Sequence, residues 1–347
     1  LCIARFTKFK YVFLTGHHSL FMACLMSAVL GTAGLSGMEL ILVGGFLMGA
    51  WSAISPAIGQ SYTSKVTDGD EIAIGHFGSL GYYLSAWVAK YVGKADDSTE
   101  DIEIPEKWGF LRDSTLSTAL TMIVFYLIAA FAAGSEFVAT LSGDMSPYLY
   151  AVMSAMNFAV GVTIVYSGVR MILGDLIPAF QGIATKIIPN AIPAVDCAVF
   201  FTYAPTAVVL GFISSFIGGI IGMLILGAVG GVLIIPGLVP HFFCGATAGI
   251  YGNATGGRRG AAVGAFLNGL AITFLPAMAL PVLGQLGFQN TTFGDADFAV
   301  MGLVLGNAYE WVGMAGIYGI VAIAALVLII PNFIKTKGKV INYVEED

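Results

Sequence analysis

The cations of this chain fall only in every second gap between its long apolar runs, and that alternation constrains the fold more than any motif does. Lys and Arg together number 15 in 347 residues. They stand at Arg5, Lys8 and Lys10, at Lys65, and at Lys90, Lys94, Lys107 and Arg112. They return at Arg170 and Lys186, at Arg258 and Arg259, and at Lys335, Lys337 and Lys339. The intervening gaps, 35–40, 134–147, 228–231 and 284–298, carry none. Positive residues stay on the cytoplasmic face as a polytopic protein inserts, whereas a water-soluble fold has no physical reason to sort them. Apolar residues make up 57 % of the chain and charged residues 10 %, against roughly 25 % charged in soluble domains. Runs that reach or approach the roughly 20 residues of a span are 19–35, 40–57, 116–133, 148–168, 206–227, 232–250, 261–282 and 299–330. The sequence therefore predicts an all-α polytopic protein of the plasma or inner membrane, with about eight transmembrane helices and both chain ends cytoplasmic. In that setting Lys94, Lys107, Lys186, Arg258 and Lys337 face the cytoplasm, while Glu136 and Asp295 face outward.

A net charge of −6 gives no footing for nucleic acid, and the acidic excess at 96–106 and 345–347 reads as solvated surface. Cys2, Cys24, Cys197 and Cys244 lack metal-ligand spacing and lie in or beside apolar segments, where cysteine behaves as a small hydrophobe. No phosphate loop, HExxH or Ser/His/Asp arrangement is present, so no catalytic set, cofactor or metal is expected. The chain opens on Leu1, with a basic stretch and no cleavage pattern, and is expected to begin inside a longer protein.

Two further stretches, 72–92 and 187–203, are apolar, too short to cross, and bracketed by cations of one face. They are expected to be re-entrant or broken segments, which persist at membrane depth only where they are buried in protein or line a cavity. Interrupted helices are also where transporters bind substrate, through free backbone N–H and C=O groups. The two share an order: Pro56-Ala57, Lys65, then His76; and Pro178-Ala179, Lys186, then Asp196. That order is read as the trace of an internal duplication. The chain's 45 glycines suit the close approach of such segments.

Ionisable residues at depth are costly and mark function. Asp196 lies in the second broken segment, His76 in the first, and His17 opens the first span; these are the candidate site. The competing role for Asp196 is a structural cap on a half-helix. His18, His241, Glu136 and Glu310 lie nearer predicted span ends and are read as interfacial, and 171–185 as an amphipathic surface helix. On the residues alone, a proton-coupled secondary transporter of an organic anion stays open beside other transport mechanisms.

The motifs Leu14-Thr15-Gly16-His17, Val66-Thr67-Asp68-Gly69, Ile74-Gly75-His76, Gly168-Val169-Arg170-Met171, Ala194-Val195-Asp196-Cys197 and Tyr203-Ala204-Pro205 together resemble the membrane (IIC) subunit of the L-ascorbate phosphotransferase system. The resemblance runs over the whole chain. It implies an eleven-span homodimeric permease with a V-shaped domain and a core transport domain, of which this chain lacks about three N-terminal spans. On that plan 11–92 is core with the first broken segment, 116–170 forms V-shaped, dimer-making helices, and 187–331 is core with the second broken segment and the last spans. The resemblance further implies import of L-ascorbate with phosphorylation by a separate IIB phosphocysteine, charged through IIA. No phosphoryl-carrying residue would belong to this subunit. His17, His76 and Asp196 match the substrate-binding positions. Phe21 and Phe77 stand where ascorbate members carry Gln, which would direct specificity toward a related sugar acid or a pentitol-like compound.

Overall fold

The computed structural model describes residues 1–69, 72–102, 114–283 and 293–333. Its elements are α1 (Cys2–Phe6), β1 (Tyr11–Phe13), α2 (Gly16–Thr32), α3 (Gly37–Thr67), β2 (Ala73–Ile74), α4 (Ser79–Val92), α5 (Ser114–Ala133), α6 (Ser135–Ser142) and α7 (Pro147–Lys186). These are followed by β3 (Ile192–Val195), a 3-10 turn at Cys197–Thr202, α8 (Pro205–Ala228), α9 (Leu238–Leu283), α10 (Ala296–Val312) and α11 (Met314–Ile329). Among the described residues, six helices are long and apolar enough to span a membrane. Only 11–39 % of their most apolar windows is buried inside the protein. Exposed Ile41, Leu42, Leu224 and Ile323 would be untenable in water and are natural against lipid. The chain is an all-α multi-pass membrane protein.

α9 contains two of the expected spans. Its 46 residues would measure about 69 Å as one rod, twice the hydrocarbon thickness. Non-helical Gly256 and Gly257 break it instead, and Gly252 lies against the backbone of Gly260 as the halves fold back on each other. Gly257 has φ +60, and a Cβ there would strike the carbonyls of Lys94 and Asp97. The loop after α4 is thus seated on the α9 hairpin. Arg258 ties it further, its backbone N–H donating to Asp97 O at 2.8 Å and its Nε to Ser98 O at 3.1 Å.

One expectation is corrected here. The long run 299–330 is two helices rather than one span. The chain turns at Gly313 (φ 62), and Gly316 packs back on the carbonyl of Ala308. α11 then runs alongside α3, with Tyr318 hydrogen bonded to Glu39 in the first turn of α3 and Leu328 clustered with Ala57 near its other end. The 171–185 stretch is continuous with α7. Lys107 and Lys337 lie outside the described residues.

Both broken segments form, and they meet. β1, β3 and β2 make a parallel three-stranded sheet in the order β1-β3-β2. Tyr11 pairs with Ile192 and Ala73 with Ala194. Gly75 makes this possible, since a Cβ would overlap the Ala194 carbonyl. The suspected duplication gains geometry: α3 and α7 each carry an internal proline, and among the described residues the non-glycine ones with positive φ are Asp68 and Asn190, both at 58°. Each left-handed residue precedes a strand of the sheet.

Replacing Gly257 with Ala should force a left-handed side chain into two carbonyls, at a cost of about 1–3 kcal/mol for the strained backbone alone. The expected result is a lower unfolding temperature of the purified protein and easier proteolysis at 94–101. An unchanged melting curve would show that this turn relaxes freely.

Candidate functional site

The three strands run the same way, and each delivers the chain to a helical N-terminus: β1 to α2, β2 to α4, β3 to the 3-10 turn. α2 leaves toward the far end of the protein. α4 and the 3-10 turn head back toward the end that carries Lys65, Lys94 and Arg258. A fourth N-terminus, that of α10, joins them: Asp297 N–H donates to Phe77 O at 2.9 Å, and Gly306 packs on Val282 near the end of α9. Positive dipole ends therefore converge inside the protein, with side chains and carbonyls taking amides there, as at Leu80, Ala198 and Asp297.

A cavity of about 540 Å³ opens at this junction, lined by His17, His18, Phe21, His76, Asp196 and Asp295, with Val239, Pro240, Phe243, Phe293 and Phe298 among its apolar walls. His17 Nε2 stands 3.5 Å from Asp196 Oδ2, with side chains 62 % and 29 % exposed, so this pair faces the open side. The other Asp196 oxygen accepts from Ala198 N–H at 3.1 Å and caps the 3-10 turn. Asp196 thus has both geometries that compete for it, one oxygen on each.

His76 is buried. Its Nδ1 faces the Gly78 N–H at 3.1 Å and the Tyr82 hydroxyl at 2.7 Å. His18 Nδ1 accepts from the Phe77 N–H at 3.3 Å. A backbone amide can only donate, so in both rings Nδ1 is the acceptor and the proton of the neutral tautomer sits on Nε2. Three groups, His17–His18–Asp196, His18–His76–Asp295 and His76–Asp196–Cys197, bring ligand-type atoms within 4.8 Å of one another. A ligating imidazole normally donates from its other nitrogen. In His18 and His76 those nitrogens accept, so these two rings present N–H donors instead of metal lone pairs.

Several expectations are revised by this geometry. Asp295 is drawn into the cavity, its side chain 15 % exposed. It packs at the cavity with Oδ1 accepting from Cys244 Sγ at 2.9 Å and Oδ2 at 3.7 Å from His18 Nε2. His18 and His241 are buried rather than interfacial, and His241 Nδ1 is hydrogen bonded to Ser215 Oγ at 2.9 Å. Cys244 is more than an inert hydrophobe, since it holds a carboxylate. Phe21 lines the cavity. Phe77 does not: its side chain is fully buried, stacked on Phe13 at 4.6 Å between centroids, and it serves the site through its backbone. His18 and Asp295, which also line the cavity, lack the signal that singles out His76 and Asp196, an apolar segment too short to cross.

Asp297, two residues on, fixes the junction. Fully buried, it accepts from Trp51 Nε1 at 3.1 Å, Ser79 Oγ at 2.7 Å and Leu80 N–H at 2.9 Å. It joins the middle of α3 and the N-terminus of α4 to α10.

This is the architecture of a polytopic transport protein whose broken segments enclose a polar site. A family model of the PTS system sugar-specific permease component matches residues 1–297, and the chain belongs to that family. It is 26 % identical over 351 residues to the ascorbate-specific PTS system EIIC component of Mycoplasma pneumoniae (strain ATCC 29342 / M129 / Subtype 1), covering 89 % of this chain and 53 % of that protein. The chain thus spans about half the length of the curated relative it matches.

Asp297→Ala should strand the buried Ser79 hydroxyl, at about 1–3 kcal/mol, together with the part-buried Trp51 and Leu80 donors, and sharply lower the unfolding temperature. Asp297→Asn keeps one acceptor oxygen and should fall between Ala and wild type. Equal melting of all three proteins would show that the α3–α4–α10 junction does not depend on this carboxylate.

Proposed function

We propose that this chain forms the sugar-binding part of a group-translocating permease that imports L-ascorbate or a related sugar acid. A separate IIB subunit, charged through IIA, phosphorylates the cargo at the cytoplasmic face: the S–P bond of its phosphocysteine breaks as an O–P bond forms on a substrate hydroxyl. The observation that carries the reading is the His17–Asp196 pair, which brings the start of α2 against the second broken segment at one cavity. A neutral imidazole N–H donates to a sugar oxygen, and a carboxylate accepts from a sugar hydroxyl. The helical N-termini favour an anionic cargo. Apolar walls of Phe21, Phe243 and Phe298 suit the C–H faces of a sugar ring. The ascorbate specificity printed for the Mycoplasma relative and the shared permease family support the same reading.

Asp196→Asn isolates recognition from capping. The Ala198 N–H still finds an oxygen, while the atom facing His17 becomes a donor. Substrate affinity should fall about tenfold to a hundredfold, the worth of a charge-assisted hydrogen bond, with the unfolding temperature nearly unchanged. Loss of folding with unchanged affinity in the surviving fraction would make Asp196 a cap only. The mechanism is tested with the full-length protein in vesicles. Sugar phosphate should accumulate only when the phosphotransfer proteins are supplied, whereas accumulation of unmodified substrate under a pH gradient alone would establish a proton-coupled carrier instead.

The same reading places Lys94 and Arg258 in the cytoplasm and Glu136 outside, with both ends of the chain cytoplasmic and a homodimer formed through α5 and α7. Those two helices pack on each other and carry exposed stripes, Leu120, Val124 and Ile128 on one, Met153, Val160 and Ile164 on the other. An impermeant thiol reagent applied from outside should label Glu136→Cys and spare Lys94→Cys, and Val124→Cys should cross-link between protomers. The reverse labelling would overturn the orientation, and monomeric Val124→Cys the dimer face.

A further inference from the structure

The cavity contains a second pair built like the first. α2 opens with consecutive histidines whose rings serve different carboxylates: His17 faces Asp196, and His18 Nε2 stands 3.7 Å from Asp295 Oδ2. Both separations exceed hydrogen-bond length, so neither pair is closed on itself. A hydroxyl oxygen seated about 2.8 Å from both members can receive the N–H and donate its own proton.

Asp295 is held for such a task. It is the N-cap residue of α10, yet its side chain makes no capping bond, although capping is what Asp ordinarily does there. Cys244 fixes Oδ1, and Oδ2 is left toward the cavity. His18 is fixed as well: Phe77 N–H holds its Nδ1, and its ring stacks on Phe298 at 5.6 Å and 11°. Burying an acid that neither caps its helix nor pairs with a Lys or Arg costs several kcal/mol, and packing alone would favour an apolar residue.

We propose that His18 and Asp295 form a second hydroxyl-recognition pair, and that the two His–Asp pairs together clamp a terminal vicinal diol of the substrate, with His18 and Asp295 on its end hydroxyl. This rests on the reading of the cavity as the sugar site. It adds a chemical requirement to that reading: two neighbouring hydroxyls on the cargo, one for each pair.

The test measures binding of three probes to the full-length protein: L-ascorbate, its 6-deoxy analogue, which keeps the anionic ring but lacks one side-chain hydroxyl, and the pentitol xylitol. Wild type should prefer L-ascorbate to the 6-deoxy compound by about tenfold or more. Asp295→Asn should erase that preference by weakening L-ascorbate alone. His18→Asn keeps an acceptor for the Phe77 amide while deleting the Nε2 donor, and should do the same; the double variant should be no worse than either single one. Equal loss for both ascorbate compounds, or no change for either, overturns the clamp. Should wild type bind xylitol but neither ascorbate compound, the sugar-acid reading falls. The clamp then stands if Asp295→Asn weakens xylitol, and falls if it does not. Wild type binding none of the three also overturns it.

Discussion

Backbone hydrogen bonding inside a membrane is the constraint on which the rest of this structure hangs. A helix satisfies its own amides; a chain that stops being helical at depth must find partners elsewhere. Three segments stop, and they satisfy one another through the β1-β3-β2 sheet. The contacts continue past the paired residues, with Leu14 N–H donating to Ala194 O at 2.9 Å and Gly75 N–H to Val195 O at 2.7 Å. Because the strands are parallel, their carboxyl ends lie together. The candidate side chains His17, His76 and Asp196 follow within a few residues of each strand end, and so they are gathered by the backbone before any side-chain interaction is made.

That arrangement also sets the electrostatics. The dipoles of four helical starts create a field that favours negative charge, and three carboxylates occupy it. Asp297 is spent entirely on structure, with all its hydrogen bonds inside the protein. Asp196 divides its oxygens between an amide and His17, and Asp295 divides its own between a thiol and His18. The division has a chemical sense: one oxygen anchors the group, and the other is left to face the cavity.

What the sequence made legible follows from the kind of signal each residue carried. Alternating cations and long apolar runs are read by the bilayer itself, so the membrane class was plain. Segments 72–92 and 187–203 stood out because they were apolar yet too short, and His76 and Asp196 stood out inside them. Asp295 sits in a polar gap between apolar runs, and such a gap reads as an extramembrane loop whether or not it dips inward. The run 299–330 concealed its turn because Gly313 is flanked by apolar residues and breaks no hydropathy pattern. His18 lay beside an ionisable neighbour, and nothing local says which of two adjacent histidines turns inward. In the structure His18 is buried and His17 stands at the open side of the cavity, each toward a different partner. Phe77 marks the opposite limit: the position matters, but through its amide and carbonyl, which any residue supplies.

The origin of each partner bears on how such a site could move its cargo. α2 contributes both histidines, but Asp196 belongs to the β3 segment and Asp295 to α10. No pair lies within one element, so its geometry depends on where two elements sit relative to each other. A site assembled in this way is sensitive to small displacements, because a shift of an ångström takes a donor or acceptor out of hydrogen-bond range. Asp297 and the sheet oppose that shift by locking α10 to α3 and α4, and β1 to β2 through β3. The core is therefore braced against internal distortion, and in the proposed role the movement that exposes the site to one side and then the other would be carried by the core as a body. α5 and α7, which pack chiefly on each other, are the elements against which it would move.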